Sequence, residues 1–522
     1  MVAMQRVGAT YDEPGYLQVG LEYWRTGDFR PLKRMGTMPL PLQVCTLPLY
    51  IFEKATGATL DATYLPWARI GNLVFWWLLL FYAWKSAHHL AGNWSARLAI
   101  ALVACEPNLL AHASLATTDL AVTACLVALL YHYQAGRCGG WWRRIGIPTI
   151  WFATAVLAKA SGIVFGPIVL FVADFTSNCQ AASWRETLRL SLASCRRLAA
   201  IASGGMLIVV LYCGSSEGPA RQNLLRMVEK LPEGKLKNAA LPAAQRIPLY
   251  VNAVDTIAFQ VRHNLRGHDG VFLLGEWRPG KTLWYYFPVA LSIKASAALL
   301  FLLAATALLR TKSLRNWAIA AAAALLLFSL TCKVQIGVRY MLPILAFAIV
   351  GLSAGLVQTA EIGRWRKALI AAVICLAVAW QAVDSARFWP NGLQYSNSLW
   401  GNSKQGYLLL SDSNFDWGQG LPELAKWQRQ NEIENLDVVY FGADPLLKSL
   451  PMRPIAFPMM TVDRERNVLR ESAGRHLAVS VTTLYGHPHC QTEAAAFLRS
   501  QKPAAQVGTF LIFDFTSGRT IP

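Results

Sequence analysis

Acidic residues beside long apolar segments are the part of this sequence most able to do chemistry. Between Asp61 and Asp174 the chain has only two of them, Glu106 and Asp119, which flank a short segment without lysine or arginine. A carboxylate in membrane-like surroundings is costly and is usually kept for a function. Asp119 fits a functional role and a helix-capping role equally well, whereas Glu106, beside Pro107, fits capping better.

The adjacent pair Asp12 and Glu13 is a second acidic point, followed by Pro14 and Gly15. An adjacent pair of carboxylates in a loop is normally solvated and inert. It supplies a general base only if burial or a neighbouring charge tunes it and a substrate comes within hydrogen-bond reach. The sequence by itself shows neither condition.

Four basic residues lie in or beside apolar segments. Lys294 lies about ten residues into one segment and Arg339 starts another, while Lys159 and Lys333 lie near segment ends. Long basic side chains can reach the membrane surface from such positions, most easily for Lys333 and least easily for Lys294. A phosphate-bearing lipid would equally explain Lys294 and Arg339, because cations pair strongly with phosphate oxygens.

The elements that must position these residues are apolar helices. The chain has 522 residues, of which 54% are hydrophobic and only 15% charged, against about 25% charged in globular proteins. A membrane core of about 30 Å requires roughly 20 apolar residues in a helix. The segments that meet this description lie near 68–86, 96–111, 119–134, 145–158, 160–174, 198–214, 284–309, 316–332, 338–357 and 367–386. The pattern predicts an α-helical polytopic membrane protein with about ten transmembrane helices.

The net charge of +19 predicts the orientation of these helices. In a soluble protein such a charge would suggest nucleic-acid binding. Here alternate loops carry 15 basic and 3 acidic residues, a net charge of +12, and positively charged loops stay on the cytoplasmic side. The sequence therefore predicts a multi-pass protein of the cytoplasmic (inner) membrane with no nucleic-acid partner.

Three regions are then predicted to lie outside the cytoplasm. Residues 1–67 suit amphipathic helices at the membrane interface, and residues 215–282 form a polar loop within the transmembrane core 68–386. Residues 387–522 alternate short apolar runs with helical stretches, which predicts a soluble α/β domain. The ten cysteines show neither a close pair nor metal-ligand spacing.

Short motifs spread over nearly the whole chain resemble the family 39 membrane glycosyltransferases. This group, with the GT-C fold, includes the protein O-mannosyltransferases and the bacterial lipid A aminoarabinose transferases. The motifs are Tyr11-Asp-Glu-Pro-Gly-Tyr16, Thr26-Gly-Asp-Phe29, Pro107-Asn-Leu-Leu-Ala-His112, Leu115-Ala-Thr-Thr-Asp119, Gly280 with Tyr286-Phe287 and Lys294, Gly337-Val-Arg-Tyr-Met-Leu-Pro343, Ser411-Asp-Ser-Asn-Phe-Asp-Trp-Gly-Gln419 and Tyr440-Phe-Gly442. The Ser411–Gln419 motif resembles the extracytoplasmic tail of a bacterial subgroup.

The resemblance implies an inverting glycosyltransferase. It would transfer a hexosyl or pentosyl group from a polyprenyl-phosphate carrier to an acceptor hydroxyl of a protein, lipid or glycan, on the extracytoplasmic side. Asp12 would be the general base, with Glu13 as its neighbour. Asp119 would be a second carboxylate that orients acceptor or sugar hydroxyls or holds a divalent metal, the one cofactor that the resemblance leaves open.

The resemblance also implies how the departing phosphate is neutralised. Lys294 and Arg339 would bind the donor phosphate, as developing leaving-group charge requires, and Lys159 is a further candidate for the same pocket. The sequence departs from the family pattern at two points. The usual His-Pro-Pro-Leu or Lys-Pro-Pro-Leu element is replaced by Met38-Pro-Leu-Pro-Leu42, which puts any donor contact there in question. The transmembrane helix that usually precedes the Asp-Glu loop is also expected but not seen.

Two other classes of function remain open. A transporter or flippase of lipid-linked sugars would also place cations at membrane depth, but it predicts inverted repeats and ionisable residues near the midplane. The sequence shows no repeat. A catalytically inactive relative that acts as a membrane scaffold is compatible with the altered Met38–Leu42 element.

Overall fold

The computed structural model describes most of the chain. The described residues are 2–178, 183–215, 225–246, 251–360, 364–401, 403–455 and 471–516. Parts of the predicted outer loop 215–282 and of the predicted C-terminal domain 387–522 lie outside the described residues.

The segment ahead of the first long apolar helix folds into short helices. They are α1 (Val2–Arg6), α2 (Glu13–Thr26), α3 (Arg30–Met35) and α4 (Pro39–Thr56). Proline occupies the first turn of α2, α3 and α4, where its missing N–H costs no hydrogen bond. Helix α2 packs against α4, and α4 packs on the first long apolar helix. The segment that carries Asp12 is thereby attached to the helical core.

The predicted apolar spans lie largely on helices. The elements that follow α4 are α5 (Leu65–Ala104), α6 (Pro107–Ala113), α7 (Asp119–Ala135), α8 (Ile147–Ala158), α9 (Gly162–Asn178), α10 (Trp184–Cys213), α11 (Lys235–Arg246), α12 (Asn252–Arg266), a hairpin of β1 (Gly270–Leu273) and β2 (Glu276–Pro279), α13 (Tyr286–Lys294), α14 (Ala297–Arg310), α15 (Trp317–Ser329), α16 (Leu342–Ala360) and α17 (Arg364–Phe388).

Two predicted spans differ from the observed helices. The span predicted over 96–111 ends at Ala104, and α6 begins separately where the Glu106 carboxylate accepts a hydrogen bond from the Leu109 N–H. The capping role expected for Glu106 is therefore confirmed. The span predicted over 284–309 is interrupted after Lys294, because the next residues are extended and Ser296 caps a new helix. Apolar composition continues across both breaks, so hydropathy alone does not reveal them.

Membrane-spanning capacity is clear in the described residues. Four segments among them are helical, long and apolar enough to cross a membrane: Ser194–Cys213, Ala297–Leu314, Val338–Ala360 and Lys367–Phe388. Val338–Ala360 is central, since 89% of its most apolar window is buried, against 11% for Lys367–Phe388. An apolar helix with an exposed apolar surface is suited to contact lipid. The predicted fold class, a helical polytopic membrane protein, is confirmed.

The C-terminal segment contains a mixed sheet, as the α/β pattern predicts. Its strands lie in the order β4 (Arg453–Pro454), β3 (Leu436–Val439), β5 (His476–Ser480), β7 (Phe510–Asp514) and β6 (Ala505–Val507). The β3 strand pairs parallel with β4 and β5, whereas β7 is antiparallel to β5 and β6. Helices α18 (Leu421–Gln430) and α19 (Glu493–Ser500) pack their apolar faces on this sheet.

Candidate active site

Four of the six predicted site residues meet where helices end. Asp12 directly precedes α2, Asp119 is the first residue of α7, Lys159 directly follows α8, and Arg339 lies in a single turn that leads into α16. Neither carboxylate caps its helix, so the capping alternative for Asp119 is wrong. Helix ends carry backbone groups that have no partner within the helix, and four such ends bring these side chains together.

Alternating charges link these four side chains. Arg339 Nη1 lies 2.9 Å from Asp12 Oδ2 and 3.9 Å from Asp119 Oδ2. Lys159 Nζ donates to Asp119 Oδ1 at 2.5 Å. Asp119 is 1% exposed and Arg339 7%, whereas Asp12 is 26% exposed. Asp12 is therefore the carboxylate that a solvent-borne hydroxyl can reach, and Asp119 holds two cations in place.

Aromatic rings hold the two cations from the side. The Arg339 guanidinium lies 4.0 Å from the centre of the Trp417 ring and 5.0 Å from that of Tyr340, and Lys159 Nζ lies 4.2 Å from Tyr340. Cations are attracted to ring faces. Within the described residues, Arg339 Nε and Asp119 Oδ2 have no hydrogen-bond partner although both are buried. Buried polar atoms normally have partners, so this group has capacity for a polar ligand.

An apolar cavity of 270 Å³ adjoins this charged group. Lys159, Tyr16 and Tyr340 belong to its lining, and helices α9, α12 and α15 contribute apolar side chains to its wall. Met38, from the Met38–Leu42 element, also lines it. The cavity thus combines an apolar wall with a cation from Lys159, an arrangement that suits a lipid with an anionic head.

Glu13 has a different role from the one predicted. It is fully buried and accepts two hydrogen bonds from Arg69, at 2.8 and 2.6 Å, and others from the N–H groups of Thr10 and Ala116. Burial alone would raise the pKa of Glu13, but Arg69 and these hydrogen bonds outweigh it and hold the pKa below its usual value. Glu13 cannot contact a substrate. It ties the segment of Asp12 to the segment that leads to Asp119.

Lys294 does not join the charged group. Lys294 is 2% exposed, and its ammonium donates to the backbone carbonyls of Leu393, Tyr395 and Asn414. An ammonium has three donors, and all three are used. The geometry therefore does not support the prediction that Lys294 binds the donor phosphate. Lys294 instead fastens the end of α13 to the C-terminal segment.

Three residues of this region were missed by sequence reasoning. Arg69 is the counter-ion of Glu13, and a lone arginine in the first apolar span was the signal for it. Trp417, which stacks on Arg339, belongs to the quoted Ser411–Gln419 motif. His112 is buried beside Trp417, and within the described residues its Nδ1 has no partner; burial lowers its pKa to about 4, so it is neutral at physiological pH.

Metal ligands do not cluster in the described part of the chain. No group of three or more His, Cys, Asp or Glu side chains there is arranged to hold a metal ion. The carboxylate for which a metal was considered, Asp119, is neutralised by Lys159 and Arg339.

Comparisons with known proteins give likenesses of structure. No protein-family model and no curated protein sequence matches the chain. The chain is similar to ArnT from Cupriavidus metallidurans bound to undecaprenyl phosphate, with 12% identity over 98% of this chain and 95% of that one and a TM-score of 0.45. It is also similar to the Archaeoglobus fulgidus oligosaccharyltransferase in its apo form, with 12% identity over 92% and 66% and a TM-score of 0.44.

Proposed function

We propose that this protein is an inverting glycosyltransferase of the cytoplasmic membrane. It transfers a sugar from a polyprenyl-phosphate carrier to an acceptor hydroxyl, with the site and the C-terminal domain on the extracytoplasmic side. The observation that carries the proposal is the joining of Asp12, Arg339, Asp119 and Lys159 into one charged group beside an apolar cavity. The motif resemblance supplies the reaction class.

The charged group supports a direct displacement at the sugar carbon. Asp12 Oδ2 is held by Arg339, while Oδ1 accepts no hydrogen bond from the described residues. Asp12 Oδ1 takes the proton of the acceptor hydroxyl while the hydroxyl oxygen forms a bond to the anomeric carbon of the sugar. The bond from this carbon to the phosphate oxygen breaks, and its electron pair leaves with the polyprenyl phosphate. Attack opposite the leaving group inverts the anomeric carbon.

Lys159 and Arg339 neutralise the charge that develops on the leaving phosphate. Fixed cations lower the barrier most when they need no rearrangement during the reaction. The ion pairs with Asp119, together with the rings of Tyr340 and Trp417, hold both cations in place. Asp119 is thus a positioning residue in this mechanism.

The test is transfer by the purified protein in lipid nanodiscs. Short-chain polyprenyl-phosphate hexoses and pentoses serve as donors and a cell-envelope extract as acceptor, and the release of polyprenyl phosphate is measured. Loss of a general base typically costs about 10²- to 10⁴-fold in rate, so we expect that loss for Asp12→Asn. Asp28→Asn is the matched control, because Asp28 is also 26% exposed and paired with an arginine, Arg30, but lies outside the site.

Other outcomes would point to the alternative functions. Undiminished turnover by Asp12→Asn would refute the assignment of the base. No turnover by the wild type with any donor would favour the scaffold, and movement of intact donor across the bilayer would favour a flippase. Undecaprenyl phosphate, the ligand named for the ArnT structure, serves as the probe of lipid binding in the same nanodiscs.

A further inference from the structure

A small polar crevice lies between the helical core and the C-terminal segment. Its volume is 30 Å³, enough for a single hydroxyl group or water. The helical core contributes the β1–β2 hairpin and the residues ahead of Arg339, and the C-terminal segment contributes Asp412 and His487. The mechanism above uses none of the residues that line this crevice.

Asp412 places a third carboxylate near the charged group. Its side chain lines the crevice. Burial raises its pKa to about 6, Arg339 lowers this pKa, and Asp12 raises it further. Its Oδ1 accepts the Ser413 N–H. Its backbone has φ of 54°, a left-handed conformation that is uncommon outside glycine and often marks functional positions.

The loop that carries Asp412 is fastened directly to the segment of Arg339. Ser413 Oγ donates to the Ile336 carbonyl at 2.7 Å, and the Val338 N–H donates to Asn414 Oδ1 at 2.9 Å. A Cβ at Gly337 would come within 2.0 Å of Ser413 Oγ, so only glycine permits this approach. These contacts fix the loop of Asp412 relative to the segment of Arg339.

Hydrogen-bond donors face the same crevice. Trp277 lines it, and its buried indole N–H has no acceptor among the described residues. Burial lowers the pKa of His487 to about 4, so its imidazole is neutral at physiological pH. Its Nδ1 accepts the His489 N–H at 3.5 Å, which leaves the proton on Nε2 as a donor. The crevice thus offers a carboxylate acceptor, donors and an aromatic ring.

We propose that this crevice is an acceptor subsite that binds a hydroxyl of a carbohydrate acceptor other than the one that reacts. The inference rests on the proposed function, since it assumes that the reacting hydroxyl lies at Asp12. A carbohydrate carries several hydroxyl groups, each of which donates and accepts, and its apolar faces pack on aromatic rings. A serine or threonine side chain has only the hydroxyl that reacts and leaves the crevice unfilled.

The experiment measures acceptor binding without any donor. Saturation-transfer NMR with the protein in nanodiscs uses methyl glucoside, methyl mannoside and methyl galactoside as probes, with N-acetylthreoninamide as the comparison. Asp412→Asn and Asp412→Gly both suit the left-handed backbone, so each removes the charge without adding strain. Glu434→Gln, an exposed acid of the same segment, is the control. A hydrogen bond to a charged group changes an affinity by about ten- to one-hundredfold.

We expect at least one methyl glycoside to bind the wild type and Glu434→Gln equally, and to bind both Asp412 variants at least about tenfold more weakly. Glycoside binding that the Asp412 variants retain would overturn the proposal. So would the absence of glycoside binding by the wild type, or a preference for N-acetylthreoninamide. Because Asp12→Asn turnover tests the proposed function separately, glycoside binding at Asp412 without any turnover would leave this subsite standing and remove only the transfer reaction.

Discussion

Replacing Arg69 by methionine removes the cation on which the buried Glu13 carboxylate depends. Arg69 is 1% exposed and donates to both Glu13 oxygens. It also donates to the carbonyls of Met4, Val7 and Gly8. Methionine fills a similar volume and supplies none of these donors. The change therefore isolates the charge and the hydrogen bonds from packing.

The expected loss of stability follows from the ion pair and the hydrogen bonds that Arg69 makes. Removing one partner of a buried ion pair costs about 3–5 kcal/mol, because the remaining charge stays buried. A buried carbonyl that loses its donor costs about 1–3 kcal/mol more. We expect Arg69→Met to lower the free energy of unfolding by at least about 3–5 kcal/mol, a large part of the about 5–15 kcal/mol that typically holds a domain folded. Transfer activity should fall as well, since Glu13 ties together the segments of Asp12 and Asp119.

Arg453→Met is the matched control. Arg453 also makes two hydrogen bonds to a fully buried carboxylate, that of Asp437. That carboxylate keeps Arg475 and Ser472 when Arg453 is removed, and Arg453 is 44% exposed. We expect a loss below about 1 kcal/mol there. Denaturant titration in detergent micelles, followed by circular dichroism, measures both variants.

Equal losses for Arg69→Met and Arg453→Met would refute this reasoning. The double variant Glu13→Gln with Arg69→Met is a further check, because a neutral amide needs no cation and should recover part of the loss. The folded pKa of Glu13 lies below its ordinary value of 4.5. Its stabilisation is therefore complete above about pH 4.5 and is lost as the pH falls through the folded pKa. Glu13→Gln should lack this acid-sensitive component.

Two further predictions concern the cations and the orientation. Lys294→Met removes the donor of three buried carbonyls, each of which then costs about 1 kcal/mol or more. We therefore expect the free energy of unfolding to fall by several times that amount. The substitution should leave the donor KM of the folded protein unchanged; a raised donor KM would restore Lys294 to the phosphate site. In a cysteine-free background, a membrane-impermeant maleimide added from outside should label Ser500→Cys and not Lys312→Cys, both of which are exposed. The opposite pattern would invert the topology.

Local features of this fold are readable from the sequence, because hydropathy records burial residue by residue. The span predicted over 119–134 matches α7 (Asp119–Ala135), and that over 367–386 lies within α17. The interruption of α5 at Ala91 and Gly92, where Gly92 has φ of 75°, lies between two predicted spans. The break after Lys294 was not predicted, since extended residues of apolar type do not change a hydropathy profile.

The assembly of the candidate site depends on contacts between distant parts of the chain. Asp12 and Arg339 are 327 residues apart in sequence, and no periodicity links them. They became candidates because charges beside apolar segments require a partner or a function. The same criterion selected Lys294, but in the structure its ammonium donates to three backbone carbonyls instead. Residue type identifies charges that need partners, but only the packing of helices decides which partners they receive.

Asp12 and Glu13 show this most directly, because they are neighbours with nearly the same chemistry. Successive side chains at a helix start point in different directions, so Glu13 turns into the core toward Arg69 while Asp12 stays at the edge beside Arg339. Arg69 and the hydrogen bonds outweigh burial and hold the pKa of Glu13 below its usual value, and no substrate can contact this carboxylate. Asp12 makes one ion pair and is partly exposed, so a substrate hydroxyl can reach its carboxylate. In the proposed mechanism the buried carboxylate of Glu13 fixes the position of Asp12, so the two neighbours serve one site although only Asp12 would contact the acceptor.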